Sequence, residues 1–502
     1  MNEMGITNLR SIFAKLRSRA HSFLAPLWLF FISSVTHLLY FGYPAAVVFD
    51  ETYAGRFLNS YWQGSFFFDV HPPLGKLVIF LFSQFIGSDP SAVSFETIND
   101  PLPYSMLLLR LVPIICGILL PLVVYFICRN LNLSRLSSFF VGFLISIENS
   151  LVVQSRFILQ DSLLVLSGFI AVLMYQLYRR NCESPETTNK HSKTWRYIFL
   201  FLSAVFVSVS FSIKWTGIFF LVFIIILELI RVLFSPDEIV NIKKRSTISG
   251  YSIKKAIRFI LIYLVIGAVI YIATFAVSFY NLPRTGPGDA YVSSEFRKTL
   301  QGSPESKTEI QSKGFVGKFF ELNMEMYRMN NTLTKPHQYS SEWYTWPFMT
   351  RSIFYWQEHG GYDSLGKNSY IYLLGNPLIY WLGTFSIVLL VLSIVFYREI
   401  FTDPKKRFAA FFILGGFLIN LLPFIFIGRI MFLYHYEVAL VFSIISMGFV
   451  IEMISRSKLR MILISIILLV CLLMSIFFSP LTYGLPLSKS GLADRIWLST
   501  WR

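Results

Sequence analysis

Apolar runs recur along most of this 502-residue chain, with little charge between them. A helix needs about 20 such residues to cross the hydrocarbon core of a bilayer. Candidate spans fall near 24–43, 104–128, 136–153, 157–178, 195–212, 216–235, 258–280, 376–397, 408–428, 433–453 and 460–479. Backbone polar groups in lipid must be satisfied within the segment, so runs of this length specify helices. The fold expectation is an all-α polytopic membrane protein of about eleven transmembrane helices. Only 14% of residues are charged, against roughly 25% in soluble domains, and no long stretch has soluble composition.

The net charge of +16 does not point to nucleic acid, because the cations follow the positive-inside pattern of membrane loops. With the N-terminus inside, the inner segments hold Arg129 and Arg135, then Arg179, Arg180, Lys190, Lys193 and Arg196. Lys243, Lys244, Arg245, Lys254, Lys255 and Arg258 follow, then Arg398, Lys405, Lys406 and Arg407, and last Arg456, Lys458 and Arg460. The short outer turns hold one cation each: Arg156, Lys214 and Arg429. The basic N-terminus (1–23) leads into a run long enough to span and reads as a signal anchor. The expected organisation is a membrane module at 24–280, a second large outer loop at 281–375, C-terminal helices at 376–479 and an outer tail at 480–502. The first outer loop covers about 44–103. Within it, Leu74–Gly87 is short for a span and reads as a re-entrant or interfacial helix. The four cysteines suggest neither a disulfide framework nor a metal site.

Asp50-Glu51-Thr52-Tyr53 follows the first span directly, and Asp69-Val70-His71-Pro72-Pro73 lies in the same loop. Acids at a membrane edge are solvated loop starts or members of a working site. The functional reading makes Asp50 a general base that takes the proton of an attacking hydroxyl, with Glu51 as its orienting partner. A lipid-phosphate leaving group departs as an anion and asks the site for cations. Arg110, Arg156, Lys214 and Arg429 sit at outer span ends and fit that need; the alternative is snorkelling to headgroups. His71 fits a phosphate or sugar contact, or a hydrogen bond at the start of the next helix. Trp343 and Trp346, in an aromatic run of the second loop, fit an acceptor or sugar platform, or an interfacial belt. His71, His337, His359 and His435 show no metal-ligand spacing, and no metal is expected.

The first-loop segments resemble the first outer loop of protein O-mannosyltransferases. The similarity continues at Glu148-Asn149, at Gln154-Ser155-Arg156 through Ser162, at Ser212-Ile213-Lys214-Trp215-Thr216-Gly217 and at Tyr339-Ser340-Ser341-Glu342-Trp343-Tyr344-Thr345-Trp346-Pro347. Gly375-Asn376-Pro377, Phe432–Tyr436 and the tail from Tyr483 to Trp497 also have counterparts. The resemblance implies a GT-C glycosyltransferase fold with its active site at the outer membrane face. It also implies a polyprenyl- or dolichyl-phosphate-mannose donor, Ser/Thr hydroxyls of proteins as acceptors, and inversion at the anomeric carbon. The lipid-linked sugar is a substrate, and no separate cofactor is implied. Carried over by motif, Asp50 is the first-loop acid with Glu51 beside it, Arg110 opens an Arg-x-x-Pro segment, and Gln154, Arg156 and Lys214 surround the donor phosphate. The second loop, at about 95 residues, is too short for the β-trefoil MIR domain of the eukaryotic enzymes plus the aromatic motifs. The chain therefore resembles the bacterial branch, which implies a bacterial cytoplasmic membrane, with the endoplasmic reticulum as the alternative. Two other functions stay open: a same-fold transferase acting on a lipid or polysaccharide, and a transporter. Oligomeric state is not specified by these motifs.

Overall fold

The computed structural model describes residues 23–183, 190–233, 250–332, 334 and 336–502. The expected basic N-terminus, and most of the inner segments around 184–189 and 234–249, lie outside the described residues. The fold is helical, with one small sheet.

A helix stands at each expected span: α1 (Phe23–Leu38), α4 (Tyr104–Asn130), α5 (Arg135–Ile147) with α6 (Asn149–Ser155), α7 (Asp161–Glu183), α8 (Lys190–Ile213) and α9 (Ile218–Leu233). These are followed by α10 (Gly250–Asn281), α12 (Pro377–Phe396), α13 (Pro404–Ile419), α14 (Glu437–Glu452) and α15 (Ser457–Tyr483). Between them, outside the spans, lie α2 (Glu51–Gln63), α3 (Leu74–Phe85) and α11 (Phe315–Thr332). Among the described residues, eight helices are long and apolar enough to cross a membrane, or nine if α5 and α6 count as one bent span, against the eleven expected. Of the remaining two, α1 begins and α9 ends at an edge of the described residues.

The break between α5 and α6 has a local cause. Glu148 is fully buried, leaves the helical conformation at ψ 118°, and caps α6 by accepting the Leu151 amide at 2.8 Å. The two helices bend by 57° there. Helix α13 also ends early, at Asn420, and the chain runs on as a 3₁₀ turn over Leu422–Phe426, with Pro423 at its start. A few other starts carry ordinary side-chain caps. Asn376 accepts from Leu378 and Ile379, with Pro377 in the first turn of α12, and Asp403 accepts from Lys405 ahead of α13.

Helix α14 is central: 78% of its apolar window is buried, against 22% for α10 and 17% for α15, which present their sides to lipid. Small residues let α14 pack closely. Ser443 faces Gly383 of α12, where an added Cβ would lie 2.5 Å from the serine oxygen.

Outside the spans, residues 281–376 form α11, short turns and strands β1 (Ile353–Gln357) and β2 (Lys367–Leu373), with no β-trefoil among the described residues. Strand β3 (Pro486–Ser488) comes from the tail and completes an antiparallel sheet of order β1-β2-β3. The tail is locked further by Trp501, which is fully buried and donates its indole N–H to the Met349 carbonyl at 2.7 Å. Tail, second loop and α15 thus form one cap over the ends of the spans.

Candidate active site

The ends of α1, α6 and α8 and the starts of α7, α9 and α14 all lie on one side, by alternation of the chain. The basic turns at 129–135, 398–407 and 456–460 lie on the other. Side chains gathered at the first side enclose a cavity of about 290 Å³. One part of its wall is polar, with His71, Asp161, Lys214, Arg429, Tyr434, His435 and Glu437; another is apolar, with Ile218, Phe219, Phe424, Phe426 and Ile427. Phe426 is 88% exposed, so the apolar part opens toward lipid.

Lys214 occupies the break between α8 and α9. Its backbone is extended, and the next turn folds back so tightly that a Cβ on Gly217 would lie 2.4 Å from the Ser210 carbonyl carbon. That close approach explains a glycine three residues after the lysine. Lys214 donates to Asp161, the first residue of α7, at 2.6 Å. Gln154 of α6 donates to the other Asp161 oxygen at 3.0 Å and accepts from the Tyr355 hydroxyl of β1. One hydrogen-bonded chain therefore links four elements. Arg429 is different: it bonds the Asn330 side-chain oxygen and the Ile430 carbonyl, and makes no ion pair among the described residues. Its charge is free for a ligand. Arg429 and Met431 also border a second, larger depression of about 510 Å³, lined by hydroxyls including Ser341, Thr345 and Thr500.

Asp50 stands beside the cavity and faces Lys214, Asp161 and Asp69. It occupies the N-cap position of α2, where an aspartate ordinarily bonds the helix amides, yet its side chain makes no capping bond. It makes no other hydrogen bond or ion pair among the described residues. The preceding Phe49 is held at φ 44°, a costly conformation for a non-glycine residue, and its ring stacks on Tyr355 at 4.3 Å. Burial pushes the Asp50 carboxyl up to about 7; Lys214 opposes the rise, while Asp161 and Asp69 add to it. His71 is held well below the ordinary histidine range, first by burial and then by Lys214, Arg429, Lys76 and His435. It is therefore a neutral imidazole at pH 7. Lys76 is paired with Asp69 and fixes the loop by donating to the His71 and Pro72 carbonyls, each at 3.1 Å.

The structure does not bring all of the expected residues to this site. Glu51 points away from the cavity. It is fully buried and takes Arg110 in a two-point ion pair at 2.9 and 2.7 Å, plus the amides of Val48 and Ile158. Arg110 spends its other donors on the Pro44 and Ala46 carbonyls, both at 2.8 Å. This pair staples the first loop to α4, so Arg110 is no phosphate ligand in this arrangement. Arg156 likewise is buried, bonds the Leu39, Tyr40 and Tyr43 carbonyls, and lies over the Tyr483 ring. Gln154 acts through Asp161 and does not line the cavity. Trp346 is fully buried, stacked on His435 and bonded to Ser341, so it offers no face to a ligand. Trp343 is half-buried and lines neither depression. Sequence reasoning singled out neither Asp161 nor Glu437. The signal for Asp161 lay in its place opening a helix beside Gln154 and Arg156; Glu437, inside an apolar run, gave the cost of an intramembrane acid as its only sign.

Two family descriptions match the chain: "Dolichyl-phosphate-mannose-protein mannosyltransferase" over residues 27–282, and "C-terminal four TMM region of protein-O-mannosyltransferase" over 315–501. The chain belongs to the dolichyl-phosphate-mannose-protein mannosyltransferase family. Among relatives, dolichyl-phosphate-mannose–protein mannosyltransferase 1 of Candida albicans is 32% identical over 278 residues, 54% of this chain and 30% of that protein. Mannosyltransferase 4 of Saccharomyces cerevisiae is also 32% identical, over 53% of this chain and 34% of its own length. The chain thus matches about a third of the length of these mannosyltransferases. Its fold is similar to that of a chain in the S. cerevisiae protein O-mannosyltransferase Pmt1-Pmt2 complex bound to the sugar donor, with TM-score 0.83, 20% identity and coverage of 95% and 92%. The archaeal oligosaccharyltransferase AglB of Archaeoglobus fulgidus shares the fold more distantly, at TM-score 0.52 and 12% identity over 94% of this chain and 57% of that one. The expected GT-C mannosyltransferase fold is the one observed.

Proposed function

We propose that this protein transfers mannose from a polyprenyl-phosphate donor of the dolichyl-phosphate type to Ser or Thr hydroxyls of proteins, with inversion. The observation that carries the reading is a free carboxylate, Asp50, beside a cavity with an unpaired cation in its polar wall and phenyl rings opening to lipid. The prenyl chain lies along Phe219, Phe424 and Phe426, and the phosphate sits near Arg429, Lys214 and neutral His71. The acceptor oxygen attacks the anomeric carbon from the face opposite the phosphate. The carbon–oxygen bond to phosphate breaks, the lipid phosphate leaves as an anion, and the hydroxyl proton passes to Asp50. No second carboxylic acid is required, in contrast to glycoside hydrolysis, because the leaving group needs no proton. The Tyr355–Gln154–Asp161–Lys214 chain holds the lysine in place. The hydroxyl-lined depression beside Arg429 gives the acceptor a polar approach.

The basic turns opposite the site support catalysis on the outer face of the membrane. Shortness of the second loop supports a bacterial cytoplasmic membrane as the location. The deciding experiment is transfer of labelled mannose from polyprenyl-phosphate-mannose to a Ser/Thr peptide by purified protein in detergent. Transfer only to a lipid or polysaccharide, or none by folded protein, refutes the reading.

A further inference from the structure

Glu437 is the first residue of α14 and lines the cavity, yet it is only 3% exposed. Its carboxylate makes no hydrogen bond or ion pair among the described residues, and its Oε1 is sealed from solvent without a partner. The charged groups that face it are Asp161, Lys214 and Glu148. Asp161 already holds Lys214, and Glu148 caps α6, so neither interaction satisfies Glu437. Burying a carboxyl group without a hydrogen bond is costly whether it is ionised or protonated. The helix does not need it: the rest of α14 is held by packing, and the acid makes no bond to a helix amide. On its other side lies a void of about 10 Å³ bordered by His37, Gly117 and Ser162, with room for about one water. A ligand large enough to engage it must come from the main cavity.

We propose that Glu437 contacts the sugar of the donor, pairing with one of its hydroxyls. This rests on the mannosyl-donor reading above. The chemistry selects a hydroxyl over the phosphate. A hydroxyl both donates and accepts, so it pairs with the acid in either protonation state. A phosphate repels the ionised form and is drawn instead to Arg429, which has no acidic partner among the described residues. The polar wall is thereby divided, with cations for the phosphate and Glu437 for the sugar.

The test measures binding of two lipids, polyprenyl-phosphate-mannose and sugar-free polyprenyl phosphate, to the purified full chain. Glu437→Leu should weaken the mannose-bearing lipid about tenfold or more, the span for a lost hydrogen bond to a charged group. It should leave the sugar-free lipid unchanged, and Glu437→Gln, which keeps an acceptor, should recover part of the loss. Arg429→Ala should weaken both lipids. Melting temperature shows that each variant is folded. Variants that bind the mannose-bearing lipid like wild type overturn the assignment; so does equal weakening of both lipids, which marks a residue that only shapes the cavity. Wild-type protein that binds neither lipid refutes the mannosyl-donor reading itself, a separate result.

Discussion

Asp50→Asn keeps the size of the side chain and removes the proton acceptor. If Asp50 takes the acceptor proton, transfer falls by about 10²–10⁴-fold, the usual span for a lost general base. The wild-type rate should also carry the signature of a carboxyl group pushed up to about 7. Only the ionised form acts as base, so kcat/KM should rise about tenfold between pH 6 and pH 8. An ordinary carboxylate, ionised throughout, gives a flat profile, and the residual activity of the variant should be flat as well. Stability should move oppositely. The folded protein holds this proton more tightly than the unfolded chain, so its stability falls as pH rises from about 4 to about 7, and the loss is complete above that. A rise from 3.8 to about 7 is worth at most about 4 kcal/mol, and roughly half that for a partly exposed group. Asp50→Asn should therefore melt higher than wild type at pH 8, with the difference closing toward pH 4. The assays are peptide mannosylation across pH and thermal unfolding in the same buffers. A folded variant with near-normal turnover, or a wild-type rate that is flat from pH 6 to 8, refutes the reasoning.

The buried Glu51–Arg110 pair should behave as structure: Arg110→Ala leaves an uncompensated buried carboxylate and should cost about 3–5 kcal/mol, seen as lost expression or a lower melting temperature. If folded Arg110→Ala loses donor affinity at unchanged stability, the arginine is a ligand after all. Lys214→Ala and Arg429→Ala should each raise the donor KM, by about 1.5–3 kcal/mol of lost charge-assisted contact, with melting temperature nearly unchanged for Arg429→Ala. Wild-type kinetics in both would place the phosphate elsewhere. For sidedness, a cysteine replacing exposed Lys307 should react with an impermeant thiol reagent from outside, and one replacing exposed Lys405 should not. The reverse pattern inverts the orientation.

The spans were legible because lipid allows one solution: an apolar run of sufficient length must close its own hydrogen bonds as a helix. The distribution of lysine and arginine gives an expected orientation, and family membership was legible in the first-loop and Lys-Trp-Thr-Gly segments. Asp50 stood out for the same reason, as a charge placed at the end of a span. What the residue string could not show is which polar groups are already spent. Arg110, Arg156, Lys214 and Arg429 all sit at outer span ends, yet two are consumed by backbone carbonyls and Glu51, one is shared with Asp161, and one is unpaired by any acid among the described residues. Asp50 and Glu51 are neighbours in sequence, but consecutive residues at a helix start point different ways, so one stands near Lys214 and Asp161 of the cavity wall and the other is sealed in the core with Arg110. Trp346 read as a platform and proved to be core because it packs edge-on against Phe424 and stacks on His435. Length, apolarity and residue pattern are properties of the chain itself, and they determined the helices and the family. Partnership depends on contacts between residues far apart in the chain, from Glu51–Arg110 to Gln154–Tyr355, and only the packed tertiary structure decides it.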